Sequence, residues 1–224
     1  KKQKLSVSRR RFLLSATTAA IMPSVLLKSY AVATPNRKLN HACIGVGGMG
    51  AHDLQMFKSH LKVQIVAICD VDENNLKKAS KILPNARTYT DWRELLKKEK
   101  KNIDSVNVTV PDHNHFIIAY NAILAGKHVY CQKPLCHDVE EIRVLTKAAI
   151  KARVVTQLGT QIAATAGDRI GVQWLKEGII GKVQHAYLCS NRPGAVATYR
   201  LVGPRPAESE SLPPQLNWEI WTGT

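Results

Sequence analysis

A glycine-rich turn is the first group of residues whose types and spacing suit chemistry. The stretch GVGGMG at residues 45–50 has the pattern G-x-G-x-x-G, and it follows an apolar run and opens a helical pattern. In that context the first glycine permits a tight turn, the second lets the backbone approach a pyrophosphate, and the third lets helix and strand pack closely. The N–H groups at the helix start then face the phosphates of a dinucleotide. We predict cofactor contacts from Gly45, Gly47, Gly48, Met49 and Gly50.

An acidic residue, Asp70, ends the next apolar run. A carboxylate about 20 residues after the glycines can accept hydrogen bonds from ribose hydroxyls, and it repels a 2′-phosphate. The sequence therefore predicts NAD as the cofactor, with NADP less favoured. Asp72 is close by, but its position suits an N-cap of the following helix better. Glycines also serve ordinary turns, and the combination with Asp70 is what favours dinucleotide binding.

Two further loops carry polar side chains after apolar runs, "VPDHNHF" and "YCQKPLCHD". Lys133 is held before Pro134 at a predicted strand end, so we interpret it as a catalytic residue that polarises or helps deprotonate a reacting hydroxyl. The alternative is a solvated lysine. These loops complete the predicted cofactor site with Pro111, Asp112, His115, Gln132 and Lys133.

The pair His113 and His115 has H-x-H spacing, but no acidic or cysteine ligand set accompanies it. We therefore predict no metal site. Near a strand's carboxyl end these side chains line the nicotinamide end of the cleft or cap the next helix.

The elements that position these loops alternate strictly between strand and helix from "HACIGVGG" to "VVTQLG". Such alternation predicts an α/β fold, a Rossmann-type doubly wound parallel sheet with ligands at the carboxyl ends of its strands. We assign residues 34–158 to an NAD-binding domain. After Gly159 we expect a helix in "DRIGVQWLKEGIIG", a strand in "KVQHAYLCSN" and a long loop or connection in the tail. Residues 159–224 are expected to be the incomplete first part of a second, α+β domain.

The N-terminal segment matches an export signal. Arg9 and Arg10 precede a moderately apolar stretch, and Ala31-Val32-Ala33 matches a cleavage site. The alternative is a membrane anchor, but the apolar stretch is broken by polar residues and is shorter than the roughly 20 residues of a bilayer span. We predict that residues 1–33 are a twin-arginine signal peptide, and that the protein uses the twin-arginine machinery to reach the periplasm.

The formal net charge of +15 at first suggests an anionic partner. Seven basic residues and no acids lie in residues 1–33, which leaves a charge of +8 for the rest. The remaining basic residues are not interleaved with stacking aromatics, so nucleic-acid binding is not expected. The five cysteines form no C-x-x-C pair, and they are interpreted as buried thiols rather than as a disulfide framework. They are Cys43, Cys69, Cys131, Cys136 and Cys189.

The motifs "GVGGMG", "CDVD", "PDHNH", "AGKHVYCQKPL" and "QLGTQ" resemble, in order and spacing, those of the glucose–fructose oxidoreductase / inositol dehydrogenase family, often written Gfo/Idh/MocA. The stretches "EGIIGKVQHAYLCSNRP" and "NWEIWTGT" are similar to its exported bacterial branch. The resemblance covers residues 39–224. It implies an NAD(P)-dependent oxidoreductase that acts on a sugar, polyol or sugar derivative, and we expect a homo-oligomer for the full-length form.

Two departures from the family pattern affect the site. The family usually has Glu-Lys-Pro where this chain has Gln132-Lys133-Pro134, so a carboxylate partner of Lys133 or of the nicotinamide ribose is missing. The family's catalytic histidine, often in D-x-x-x-H, lies in the second domain, and this chain contains no such motif. Either the acid/base lies beyond Thr224 or another residue replaces it.

Three functions follow from these observations. The first is hydride transfer on a carbohydrate-like small molecule with a tightly held dinucleotide, which suits a compartment where no free NAD pool can be relied on. The alternatives are an NAD-dependent redox glycosidase of the same family and a non-catalytic dinucleotide-binding protein.

Overall fold

The computed structural model describes residues 37–188, 209 and 211–223. The elements below all belong to the compact unit Leu39–Thr224. The predicted export signal and Cys189 lie outside the described residues, so both remain predictions.

Six strands form one parallel sheet in the order β3-β2-β1-β4-β5-β6. The chain moves outward from β1 to β3 and then returns to the other side of β1 with β4. The carboxyl ends of β1 and β4 therefore border a crevice where the chain reverses direction, the usual ligand position in such sheets. The strands are β1 (Leu39–Ile44), β2 (Val63–Cys69), β3 (Arg87–Tyr89), β4 (Ser105–Val108), β5 (His128–Gln132) and β6 (Thr156–Gly159).

Helices connect the strands, and carboxylate caps fix where several of them begin. Asp72 and Asp138 each accept a hydrogen bond from a backbone N–H of the first helical turn, which satisfies a donor that has no partner within the helix. The Glu141 side chain accepts a hydrogen bond from the His137 N–H, so Asp138 and Glu141 together satisfy backbone donors at the start of this helix. The helices are α1 (Met49–Ser59), α2 (Glu73–Ile82), α3 (Trp92–Lys98), α4 (His115–Leu124), α5 (Val139–Ala152), α6 (Ala166–Lys176) and α7 (Trp218–Thr222).

Both faces of the sheet are covered, as the continuous apolar runs predict. On one face Leu54 of α1 packs with Cys43 and Ile68. On the other face, side chains such as Val106 and Ile118 of α4 form a larger core with α3 and α5. The doubly wound Rossmann-type prediction is confirmed. The predicted burial of thiols is also confirmed for the four described cysteines, which are free and buried: Cys43, Cys69, Cys131 and Cys136.

Two predictions for the later chain are wrong in the described part. Residues 182–188 form no strand, and Tyr187 and Leu188 are exposed. The tail is not only a loop, since residues 218–222 form the short helix α7, capped by Asn217. The predicted helix after Gly159 is confirmed as α6. In the described ranges, no helix has the length and apolar character needed to cross a bilayer.

Candidate functional site

A cleft of about 560 Å³ opens at the carboxyl ends of β1, β2, β4 and β5. All the site residues predicted from the sequence line this cleft, so the fold brings four separate loops to one place. They are Gly45, Gly47, Gly48, Met49, Gly50, Asp70, Pro111, Asp112, His115, Gln132 and Lys133.

At two positions of the glycine turn, Gly45 and Gly50, backbone packing leaves no room for a side chain. Gly45 has φ of 83°, in the left-handed region, and a Cβ there would lie 2.0 Å from the Thr109 carbonyl oxygen. A Cβ at Gly50 would lie 2.2 Å from the Gly45 carbonyl oxygen. These contacts hold the start of α1 against the end of β1. The first N–H groups of α1 are therefore placed at the cleft, where a phosphate group can bind them.

The Asp70 carboxylate is fixed against the glycine turn. Its Oδ2 accepts hydrogen bonds from the backbone N–H groups of Val46, at 2.8 Å, and Gly47, at 3.1 Å. Its Oδ1 accepts from the Asp72 N–H at 2.9 Å. The carboxylate has about four acceptor positions, so capacity remains for a hydroxyl in the cleft. The side chain predicted to bind ribose is thus oriented before any ligand arrives.

The turn after β5 places Lys133 in the same cleft. Lys133 is exposed, its peptide bond to Pro134 is cis, and its ammonium contacts no acceptor among the described residues. His115 is buried, and its ring joins this turn to the loop after β4 through the carbonyl oxygens of Pro134 and Val110. Lys133 therefore carries its positive charge on a turn that the His115 ring links to the loop after β4.

The side chain of Gln132 enters the layer between the sheet and α1, and its Oε1 accepts a hydrogen bond from the Lys133 backbone N–H at 3.3 Å. Its Nε2 donates to Asp53 Oδ2 at 2.9 Å, and the Thr109 hydroxyl donates to the same oxygen at 2.9 Å. Asp53 is buried and was not identified from the sequence. The available signal was an acid beside Leu54 on the inward face of a helix that is otherwise expected to be apolar there.

Buried polar side chains of β1 and β4 extend this hydrogen-bond network away from the cleft. Asn107 donates to the Thr109 hydroxyl, and its Oδ1 lies 3.1 Å from His41 Nε2. The other ring nitrogen of His41 lies 2.7 Å from the Ser105 hydroxyl. Burial lowers the pKa of His41 to about 4, so the ring is neutral at neutral pH. These groups are internal and satisfy one another beneath the cleft.

The tail supplies a part of the cleft that the sequence did not predict. Leu216, Ile220 and Trp221 line it together with the glycine turn and Asp70. The spacing of Trp218 and Trp221 was the available signal, because residues three apart share a helix face. Asn75 of α2 was also missed, and its side-chain amide lies beside Gly47.

The two histidines of the H-x-H pair make separate contacts. His115 bonds the two loop carbonyl groups described above, and His113 bonds the Trp221 carbonyl oxygen at 2.6 Å. In the part of the chain that the structure describes, no three His, Cys, Asp or Glu side chains are grouped in a way that could hold a metal ion.

The sheet order, the glycine turn and the acid at the end of β2 define a Rossmann-type nucleotide-binding domain. The model of the oxidoreductase family with an NAD-binding Rossmann fold, Gfo/Idh/MocA, matches residues 39–160, more than half of the chain. The chain belongs to this family, as its motifs predicted.

Relatives with assigned activities include both dehydrogenases and a glycosidase. The chain is 29% identical over 156 residues to levoglucosan dehydrogenase of Pseudarthrobacter phenanthrenivorans, covering 66% of this chain and 39% of that one. It is 29% identical over 152 residues to α-N-acetylgalactosaminidase of Bacteroides fragilis, covering 64% and 35% respectively.

Among solved structures, myo-inositol 2-dehydrogenase from Lactobacillus plantarum superposes with a TM-score of 0.61 at 28% identity. The match covers 66% of this chain and 43% of that one. The chain thus spans less than half the length of each of these three proteins.

Proposed function

We propose that this chain is the dinucleotide-binding part of an NAD-dependent oxidoreductase that acts on a sugar, polyol or sugar derivative. The observation that carries the proposal is one cleft that holds the glycine turn, the Asp70 carboxylate and the Lys133 ammonium together. The family supplies the reaction class, and the substrate class is consistent with the levoglucosan and inositol dehydrogenases that the chain resembles.

The charge at Asp70 favours NAD over NADP. The carboxylate is held by three backbone N–H groups and cannot easily turn away from an incoming ribose. It can accept a hydrogen bond from a ribose hydroxyl, whereas a 2′-phosphate in that position brings two negative charges close together. The discrimination thus comes from a fixed charge rather than from the size of the cleft.

Lys133 acts at the opposite side of the same cleft. When bound, the nicotinamide accepts or returns a hydride at C4. As a substrate hydroxyl loses its proton, the oxygen gains negative charge, and the Lys133 ammonium stabilises that charge more strongly in the transition state than in the bound substrate. In this proposal a proton acceptor from the second domain completes the site.

A redox glycosidase is the second candidate, because the chain is similar to an α-N-acetylgalactosaminidase. In that reaction a sugar carbon is oxidised, the aglycone leaves by elimination, water adds in its place, and the hydride returns to the oxidised carbon. The cofactor ends in its starting oxidation state. Turnover that needs no added electron acceptor would therefore favour this candidate over a dehydrogenase.

The proposed location is the periplasm. The support is the twin-arginine pattern in residues 1–33, which directs folded proteins for export. A folded enzyme can carry NAD bound in the cytoplasm across the membrane. Tight retention of the dinucleotide, with both redox half-reactions completed on one bound molecule, fits that route. A homo-oligomeric full-length protein remains part of the proposal.

Calorimetry on the full-length protein tests the cofactor assignment. We expect NAD to bind more tightly than NADP in the wild type. Asp70→Asn keeps the size of the side chain but removes its charge, so we expect it to weaken NAD binding by roughly 1.5–3 kcal/mol and to narrow the preference over NADP. Asp138→Asn is the matched control, since Asp138 is an exposed helix cap that does not line the cleft and should leave the preference unchanged. Equal NAD affinity in Asp70→Asn and wild type would remove Asp70 from the ribose site.

A further inference from the structure

We propose that residues 215–223, called the strap below, form an outer wall of the dinucleotide cleft and slow the release of the bound dinucleotide. The proposal rests on the proposed function, because it requires a dinucleotide in this cleft. It adds a binding element from outside the stretch that the family model matches, which ends at residue 160.

One end of the strap is fixed to the loop after β2. The Glu73 N–H donates to the Gln215 carbonyl oxygen at 3.1 Å, and the Asn217 N–H donates to the Val71 carbonyl oxygen at 3.0 Å. Between them, Leu216 forms an antiparallel bridge with Asp72. These attachments lie within three residues of Asp70, so this end of the strap is beside the carboxylate that is predicted to bind the ribose.

The other end is fixed to the loop after β4. The Trp221 carbonyl oxygen accepts hydrogen bonds from Asn114 Nδ2 at 2.8 Å and from His113 Nε2 at 2.6 Å. The His113 and Trp221 rings also pack edge to face, with centroids 5.1 Å apart. The backbone of Gly223 approaches Asn114 so closely that a Cβ there would lie 2.3 Å from Oδ1. The strap is thus bonded at one end to the loop after β2 and at the other end to the loop after β4.

The position of these attachments makes the strap cross the crevice. In the sheet, β2 and β4 are the two neighbours of β1, whose carboxyl end carries the glycine turn. A segment attached to the loops of both neighbours must pass in front of that turn. Leu216, Ile220 and Trp221 face the cleft together with Gly47 and Asp70, which agrees with this path.

The strap lines the cleft with apolar side chains rather than with charged ones. Its cleft-lining side chains are apolar, and one of them is aromatic, so they can cover a planar base or a ribose and exclude water. The backbone and the Asn114 and His113 side chains hold it in place. If release requires the strap to move away, several hydrogen bonds must break first, and the dissociation rate falls while the association rate changes less.

The test is the rate at which NADH leaves the full-length protein. The NADH complex is mixed with excess NAD, and the change in NADH fluorescence is followed over time. Trp221→Ala removes the aromatic wall but leaves the backbone attachment, and we expect release to become about 10- to 100-fold faster. Trp221→Phe keeps an aromatic ring and should restore most of the retention. Trp174→Ala is the matched control, because Trp174 is a half-exposed tryptophan of α6 that does not line the cleft.

The outcomes separate this proposal from the proposed function. Faster release in Trp221→Ala, with release from Trp174→Ala close to wild type, supports the strap. An unchanged release rate in Trp221→Ala, while the wild type binds NADH, overturns the strap and leaves the cofactor assignment intact. A slower association rate with unchanged release also overturns it. Absence of any NADH or NADPH binding in the wild type overturns the proposed function and the strap with it.

Discussion

Gln132 and Asp53 are joined by a hydrogen bond of 2.9 Å from the amide Nε2 to the carboxylate Oδ2, which connects the end of β5 to α1. The Thr109 hydroxyl donates to the same oxygen, so Oδ2 of this buried carboxylate accepts from two neutral donors, while Nδ1 of the exposed His52 lies 3.8 Å from Oδ1. Gly159 on the adjacent strand leaves room for this arrangement, since a Cβ there would lie 2.9 Å from the Gln132 side chain. A glutamate at position 132, common in the resembled family, would here face a second carboxylate. The replacement by Gln132 is therefore matched to Asp53.

The pair predicts how position 132 responds to a change of charge. Gln132→Glu places two carboxylates in hydrogen-bond contact in a buried site, where both cannot easily ionise. We expect the free energy of unfolding to fall by about 1–3 kcal/mol at pH 7, and the loss to shrink as the pH is lowered and one of the two carboxyl groups is protonated. Chemical denaturation at pH 7 and pH 5 measures both effects.

The exchanged pair Asp53→Asn with Gln132→Glu is the control. It restores one amide donor and one carboxylate acceptor, so we expect the double variant to be more stable than the sum of the two single changes predicts. Additive destabilisation would show that the two side chains do not act on each other.

A second buried carboxylate, Glu99, predicts a different pH dependence. Arg87 bonds both its oxygens, Tyr89 donates to Oε1 at 2.6 Å, and Asn102 donates to Oε2 at 3.1 Å. The hydrogen bonds from Arg87, helped by those from Tyr89 and Asn102, lower the pKa of Glu99 to about 2 from its ordinary value of 4.5. Because the folded-state pKa is the lower one, the stabilisation is complete above about pH 4.5 and is lost as the pH falls towards 2.

Glu99→Gln tests that dependence. The variant keeps the shape of the side chain but loses the charge, so we expect it to be roughly 1.5–3 kcal/mol less stable at pH 7, with the gap to wild type closing below pH 4. Glu73→Gln is the matched control, because Glu73 forms an exposed i,i+4 pair with Lys77 and should cost less than about 1 kcal/mol. A gap for Glu99→Gln that stays constant down to pH 2 would contradict the assigned pKa shift.

The sequence predicted the parts of the site that depend on local pattern. Gly45 and Asp70 were found because each directly follows its own apolar strand, so each signal lies within a few residues of local sequence. Asp53 was missed because its partner, Gln132, is far along the chain and only the folded sheet brings the two together. Trp221 was missed for the same reason, since its carbonyl group meets Asn114 across more than 100 residues. Long-range polar contacts carry no periodic pattern that a sequence can show.

The export signal is tested without reference to the fold. Replacing both Arg9 and Arg10 with Lys keeps the charge but removes the recognised pair, so we expect export to fail and precursor to accumulate in the cytoplasm. Replacing Lys1 and Lys2 with Arg is the matched control, and we expect normal export. Fractionation and immunoblotting measure both. Processed protein outside the inner membrane in the Arg9/Arg10 variant would contradict a twin-arginine signal.

A further prediction concerns the role of the Lys133 ammonium in hydride transfer. Its exposed ammonium and the glycine turn line one cleft, yet no described carboxylate pairs with it. Lys133→Met in the full-length protein keeps most of the apolar stem and removes the charge. We expect single-turnover hydride transfer to slow by roughly 10²–10⁴, the range for a positioned acid/base group. The affinity for NAD should change much less, because Gly45–Gly50 and Asp70 are predicted to bind the phosphates and the adenosine ribose.

Three results for Lys133→Met have different meanings when transfer rate and NAD affinity are measured on the same protein. Slow transfer with near-normal affinity assigns Lys133 to the reacting hydroxyl. Weak NAD binding with normal transfer at saturating cofactor makes it a cofactor ligand, because the charge then acts equally on ground and transition states. Near-normal values of both would make it a solvated lysine. Lys147→Met, an exposed lysine of α5 away from the cleft, provides the baseline against which each change is judged.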